Sequence, residues 1–236
     1  MDDMPKPSRP RVIVFDVNET LSDMSPMAHR FAEVGAPAHL AATWFAALLR
    51  DGIALAAAGA AAPMAEIGAT LLRTKLSGHP LDRDVDAAVE HVMSGFTGLA
   101  VHRDVVDGVG QLSELGIRLV TLSNGSADIA RGLLDRAGLA DRFERLLSVE
   151  QAGIWKPAAG AYAYALAECG VAAPEAMLVA VHPWDVDGAA RAGLATGWLN
   201  RSGEDYPDYF RRPDMAAASL TELARDLGSL PAVTDR

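Results

Sequence analysis

Arg11-Val12-Ile13-Val14-Phe15-Asp16-Val17-Asn18-Glu19-Thr20-Leu21 begins as a β-branched apolar run and stops at a carboxylate. An apolar run without polar alternation suits a strand buried on both faces, as in a parallel sheet. Two later runs match it. Arg118-Leu-Val-Thr-Leu122 ends at Ser123-Asn124-Gly125, and Met177-Leu-Val-Ala-Val181 ends at His182-Pro183. In open α/β sheets ligands bind beyond the carboxyl ends of the strands, so three distant segments can deliver polar groups to one crevice.

Helical patterns fill the intervals. Asp107–Gly116 carries Val109, Leu112 and Leu115 on one face and ends at a glycine; Ser126–Ala137 repeats the arrangement. Pro157–Gly170 does so again, with Pro157 as its expected first helical residue, and Asp187–Gly193 is short. This alternation from about residue 100 predicts an α/β, doubly wound parallel sheet with a Rossmann-like core. From Met215 onward a short helix and a fraying end are expected. Residues 25–97 break the order: Met27–Val34, Ala38–Ala58, Pro63–Lys75 and Asp82–Met93 read as helices, with no strand among them. The expected organisation is a core of residues 1–24 and 98–236 and a helical cap of residues 25–97, with the active site between them.

The chain has 236 residues, 50% hydrophobic and 22% charged, as a soluble globular protein would. A net charge of −10 argues against nucleic acid or an anionic membrane as partner. An anionic substrate would need local cations or aimed N–H groups. The single cysteine, Cys169, permits no intramolecular disulfide; it reads as buried filler, and a reducing cytoplasm is expected. Met1–Pro10 is polar and lacks a signal-peptide core, and no run approaches the roughly 20 apolar residues of a membrane span. A homodimer stays open as the assembly.

Taken alone, Asp16 reads as a cap or turn residue as readily as a catalytic one. Three later segments change this: Ser123 follows the second strand, Lys156 lies in Ile154-Trp-Lys-Pro157 ahead of a helix, and Asp185 follows the strand ending at Val181. These four segments resemble the four motifs of the haloacid dehalogenase superfamily. The resemblance runs from residue 11 to about 201. It is most specific at Phe15-Asp16-x-x-x-Thr20-Leu21 and at Trp184-Asp185-x-x-Gly188-Ala189-x-x-Ala192-Gly193.

The phosphatases of that superfamily carry a second Asp where Asn18 stands, and an acidic pair of which only Asp185 remains, the other place falling on Val181. The resemblance therefore implies neither metal nor other cofactor. The L-2-haloacid dehalogenases share the missing Asp, and their Tyr six residues after the Lys is matched by Tyr162, their Trp-Asp by Trp184-Asp185. Their later segment resembles Gly197–Gly203. The implied chemistry is attack by Asp16 on a small 2-substituted carboxylic acid, above all an L-2-haloacid, forming an ester that water cleaves. Lys156 would keep Asp16 ionised; Thr20, Ser123, Asn18 and Asn124 would bind the substrate carboxylate or the oxyanion. Trp44, Trp184 and Tyr162 would complete the pocket.

Several positions depart from the pattern. Reading Trp44 as the dehalogenases' cap Trp puts Ala46 where the halide-receiving Arg should be; Arg50, one turn on, either replaces it or is a solvated residue. Asn18 and Glu19 replace a Tyr and a Gly, and Ala180 and His182 replace small hydroxylic and Asn residues. His182 either bonds a backbone carbonyl or orients or deprotonates the hydrolytic water. Asp187 is expected to begin the following helix. Three rivals remain: a ring-opening enzyme like L-azetidine-2-carboxylate hydrolase, a phosphatase, against which Asn18 argues, and a non-catalytic α/β binding protein, which would leave Asp16, Lys156 and Asp185 without a purpose.

Overall fold

β1 (Val12–Phe15) lies mid-sheet with every residue buried. β2 (Arg118–Ser123) and β4 (Ala176–Ala180) flank it in parallel, with Phe15 opposite Thr121 and Val179. The computed structural model describes residues 9–232; the N-terminal stretch through Ser8, part of the segment read for a signal, and the last four residues lie outside the described residues. Among the described residues the sheet has six parallel strands in the order β3-β2-β1-β4-β5-β6, completed by β3 (Arg145–Ser148), β5 (Ala195–Leu199) and β6 (Met215–Ala217). These last three were not legible as strands. β3 and β6 are short edge strands, each partly exposed, so neither writes an unbroken apolar run as β1 does, and Ala195-Thr-Gly197 lacks that run as well.

The alternating faces of β1 build two cores. Ile13 and Phe15 pack with α5 (Val105–Glu114), α6 (Ala127–Arg136) and α10 (Leu220–Gly228); Val12 and Val14 pack with α8 (Ala159–Cys169) and α9 (Pro183–Arg191). This is the doubly wound arrangement expected of strands apolar on both sides. The short α7 (Val149–Ala152) follows β3. Several helix starts differ from expectation; α5, for one, begins at Val105 rather than Asp107. α8 begins at Ala159 rather than Pro157, and α9 begins at Pro183, four residues before Asp187. Asp187 sits inside α9, accepting from Arg191 Nε (2.7 Å) and the Arg211 N–H (3.0 Å).

Between β1 and α5 lie α1 (Met27–Ala32), α2 (Leu40–Ala57), α3 (Met64–Leu76) and α4 (Val85–Thr97), packed chiefly on one another. α2 is long and apolar enough, by length and composition, to cross a membrane. It also carries Arg50 and Asp51, and it packs its buried face on α3. Trp44 is fully buried here, its ring 5.9 Å from Phe31 and 5.7 Å from Phe96, its indole N–H donating to the Gly68 carbonyl at 3.0 Å. It is helical-cap core and not a pocket wall. Trp155, just before Lys156, reaches across to this unit. Its indole donates to the Ala62 carbonyl (3.0 Å), and its ring fills the space that a Cβ on Gly52 would need.

Candidate active site

Asp16 caps the end of β1, its N–H donating to the Val179 carbonyl at 3.0 Å. Asp16 Oδ1 accepts from Lys156 Nζ at 2.9 Å, and Oδ2 accepts from Thr20 Oγ1 at 2.6 Å and faces His182 Nδ1 at 3.1 Å. Thr20 Oγ1 also accepts the Val181 N–H at 3.1 Å, which ties the turn after β1 to the end of β4. Arg201 tightens the same turn: it donates to the Thr20 carbonyl (3.0 Å) while paired with Asp104 (2.9 Å).

Lys156 is fully buried, and its ammonium lies between Asp16 and Asp185, 2.7 Å from Asp185 Oδ2. Asn124 fixes its backbone, accepting the Lys156 N–H (2.9 Å) and donating to its carbonyl (3.4 Å). Tyr162 donates to Asp185 Oδ1 at 2.6 Å. Two sequence-selected groups thus hold the charged residues: Asn124 the lysine, Tyr162 the second carboxylate. Both are buried, with their polar atoms engaged by those residues. Ser123 is buried and accepts the Gly125 N–H at 2.9 Å. Asn18 faces Met64 Sδ of α3 at 3.5 Å, where the two units meet.

His182 makes no bond to a backbone carbonyl. Its Nε2 lies 2.8 Å from Glu19 Oε2, and its ring stacks on half-buried Trp184 with centroids 5.0 Å apart. Glu19 adopts φ +62°, the left-handed region that L side chains rarely visit. Its N–H donates to Ser22 Oγ (3.2 Å), and its carbonyl lies 2.9 Å from His102 Nε2. In the sequence Glu19 is marked by standing where a glycine is expected. His102 and Met64 carry no such mark, since each reaches the site from a distant segment.

The charges follow from these contacts. Burial opposes the ionised Asp16, but the Lys156 charge and the hydrogen bonds from His182 and Thr20 outweigh it and hold the carboxyl well below the usual range. Burial likewise disfavours a charged His182, yet its bonds to Asp16 and Glu19 raise it to about 9. Burial raises Asp185, against the opposing pull of Lys156.

Two cavities border the site and meet at Glu19. One of about 510 Å³ is lined by Glu19, His102, His182, Trp198 and Arg201; the other, of about 390 Å³, by Glu19, Met27, Ala41, Ala42 and Phe45. Helical periodicity therefore turns Phe45 toward the site and leaves Ala46 exposed. Arg50 is 69% exposed, donates to Asp51 at 2.8 Å and lines neither cavity, which corrects its reading as a substitute halide receptor. Among the described residues no group of three or more His, Cys, Asp or Glu side chains is disposed to hold a metal ion.

A family model described as haloacid dehalogenase-like hydrolase matches residues 10–193. An (S)-2-haloacid dehalogenase of Pseudomonas sp. (strain YL) is 32% identical over 141 residues, 59% of this chain and 61% of that protein. The matched region thus spans about three-fifths of that relative's length. (S)-2-haloacid dehalogenase 1 of Pseudomonas sp. (strain CBS-3) is 26% identical over 90% of this chain and 94% of its own. A crystal structure of a dehalogenase with an intermediate complex superposes with a TM-score of 0.87 at 26% identity, covering 97% of this chain and 100% of that one.

Proposed function

The chain belongs to the haloacid dehalogenase-like hydrolases, and we propose that within them it hydrolyses a small 2-substituted carboxylic acid, with an L-2-haloacid as substrate, through an ester on Asp16. The observation that carries this reading is the buried ammonium of Lys156 between Asp16 and Asp185, beside a Thr20 hydroxyl already on the Asp16 carboxylate. The dehalogenase names of the relatives agree with it.

In this reading residues 25–97 act as the cap over the crevice. Asp16, kept ionised by Lys156, attacks the substituted carbon in line; the carbon–halogen bond breaks and the halide leaves with the bonding pair. Water then adds to Cγ of Asp16, with Asp185, oriented by Tyr162 and Lys156, as the base. Collapse expels the alkoxide, which is protonated. Each turnover yields the hydroxy acid, a halide and one proton, with Asp16 restored. Activity needs no metal in this scheme, because Lys156 supplies the charge between the carboxylates.

The test is intact-mass spectrometry of Asp185→Asn after addition of L-2-chloropropionate. The expected result is the mass of an ester mapping to Asp16, with halide release and little hydroxy acid. Asp16→Asn should give neither adduct nor chloride, since an amide is a poor nucleophile. Chloride release by Asp16→Asn at the parent rate refutes the covalent route.

A further inference from the structure

Every carboxylate oxygen is an acceptor, and the His182 ring lies between two of them: Asp16 Oδ2 at 3.1 Å from Nδ1 and Glu19 Oε2 at 2.8 Å from Nε2. Satisfying both requires an N–H on both nitrogens, which only the imidazolium has. A general base needs the reverse, a bare nitrogen facing a water. We propose that His182 is an oxyanion-hole donor: as an imidazolium held protonated by Glu19, it joins Thr20 in stabilising the negative charge that develops on Asp16 Oδ2 when water adds to the ester. This rests on the functional reading above and reverses the role of base for His182.

The two oxygens of Asp16 are not equivalently fitted. Oδ2 has two donors, Thr20 Oγ1 at 2.6 Å and His182 Nδ1 at 3.1 Å; Oδ1 has the Lys156 ammonium alone. The geometry makes Oδ2 the ester carbonyl oxygen, with both donors at the distances that stabilise an oxyanion, and Oδ1 the oxygen that carries the substrate carbon. Lys156 is then beside the oxygen that departs with the product alkoxide. No proton changes hands at His182 during the cycle.

The surroundings keep the ring charged and aimed. Side-chain exposure rises from 5% at Asp16 through 11% at His182 to 41% at Glu19, so of the two carboxylates Glu19 is the one in partial contact with solvent. Its left-handed backbone, fixed by Ser22 and His102, turns the carboxylate onto Nε2. A non-glycine residue in that region is strained, which is tolerated where neighbours over-determine it. Stacking on Trp184 sets the plane of the ring and favours its charged form. The other titratable or charged side chains around the pair are Asp23, His102, Arg201, Glu204 and Asp205 across one cavity and His39 across the other. None of them contacts the imidazole.

The two roles have opposite pH dependence. A donor loses activity as pH rises through its pKa, and a base loses it as pH falls. Esterifying Asp16 removes one of the two carboxylate charges, so the relevant pKa in the ester lies below its value in the free enzyme, and loss of the Glu19 charge lowers it again. The experiment is single-turnover hydrolysis of the preformed ester of the parent, followed by intact mass from about pH 5 to about pH 10. The expected profile falls at high pH, and in Glu19→Gln the fall begins at lower pH by about one unit or more, where one unit is a tenfold change in the protonation ratio. His182→Gln, a neutral donor, should hydrolyse the ester about 100-fold or more slowly, with that limb gone. Should the variants misfold, the high-pH limb of the parent profile still decides, since a rise at low pH belongs to Asp185 as base. A parent rate that does not fall toward pH 10, or a falling limb that Glu19→Gln leaves in place, overturns the proposal while the ester route survives. Failure of the parent to form any Asp16 ester overturns the functional reading and the proposal together.

Discussion

Replacing His182 by Gln tests the charge of this ring without any substrate. The folded protein raises His182 from 6.5 to about 9, which at about 1.4 kcal/mol per pH unit corresponds to about 3 kcal/mol of folding stability. Because the folded value exceeds the unfolded one, this contribution is fully present below pH 6.5. It declines as pH rises and is gone above about 9. Asp16 is lowered first by the Lys156 charge, and only the share of its depression that comes from His182 describes this same contact from the other side, so it is not added again. His182 is only 11% exposed, so solvent screening discounts the figure little. Urea unfolding of parent and His182→Gln at pH 6, 8 and 10 should therefore show the parent's advantage shrinking by about 3 kcal/mol across the series. Equal differences at pH 6 and pH 10 would refute a charged ring between Asp16 and Glu19, leaving His182 to act by shape alone.

Tyr162→Phe removes the hydroxyl that donates to Asp185 Oδ1. Stranding that oxygen should cost about 1.5–3 kcal/mol in urea unfolding and slow ester hydrolysis more than ester formation. Arg50→Ala should leave both stability and kcat/KM for L-2-chloropropionate unchanged, as expected of a surface residue; a large loss of kcat/KM would put Arg50 in the reacting complex after all. Gly52→Ala drives a methyl into the Trp155 ring, so thermal unfolding and Trp fluorescence should register an overpacking penalty of about 1–3 kcal/mol.

Legibility in the sequence tracked the range of the interaction concerned. β1, β2 and β4 are buried on both faces and so write unbroken apolar runs, and their polar ends put Asp16, Ser123 and the His182–Asp185 segment on one crevice. Edge strands β3 and β6 are short and partly exposed, and nothing local distinguishes them from loops. Trp44 is helix-packing core rather than a pocket wall, and Arg50 is the solvated residue of its two readings, for one reason. Being near the expected halide arginine in sequence says nothing about which face of α2 points inward, and the packing of Trp44 against Phe31 and Phe96 settles that face.

The sequence by itself determined the class of fold, the insertion of helices after the first strand, and four chemical groups in the order Asp16, Ser123, Lys156, Asp185. These are properties of hydrophobic period and of residue type at strand ends, both local. Only the tertiary structure decided what each group touches. It put Lys156 between two carboxylates, set Tyr162 and Asn124 behind the charged residues, and turned Phe45 rather than a guanidinium toward the cavity. It also closed the Asp16–His182–Glu19 chain, whose ends lie three residues apart while its middle comes 163 residues after Glu19. Electrostatic partners are chosen by distances of about 3 Å, and distances of that size between remote segments exist only once the chain has packed.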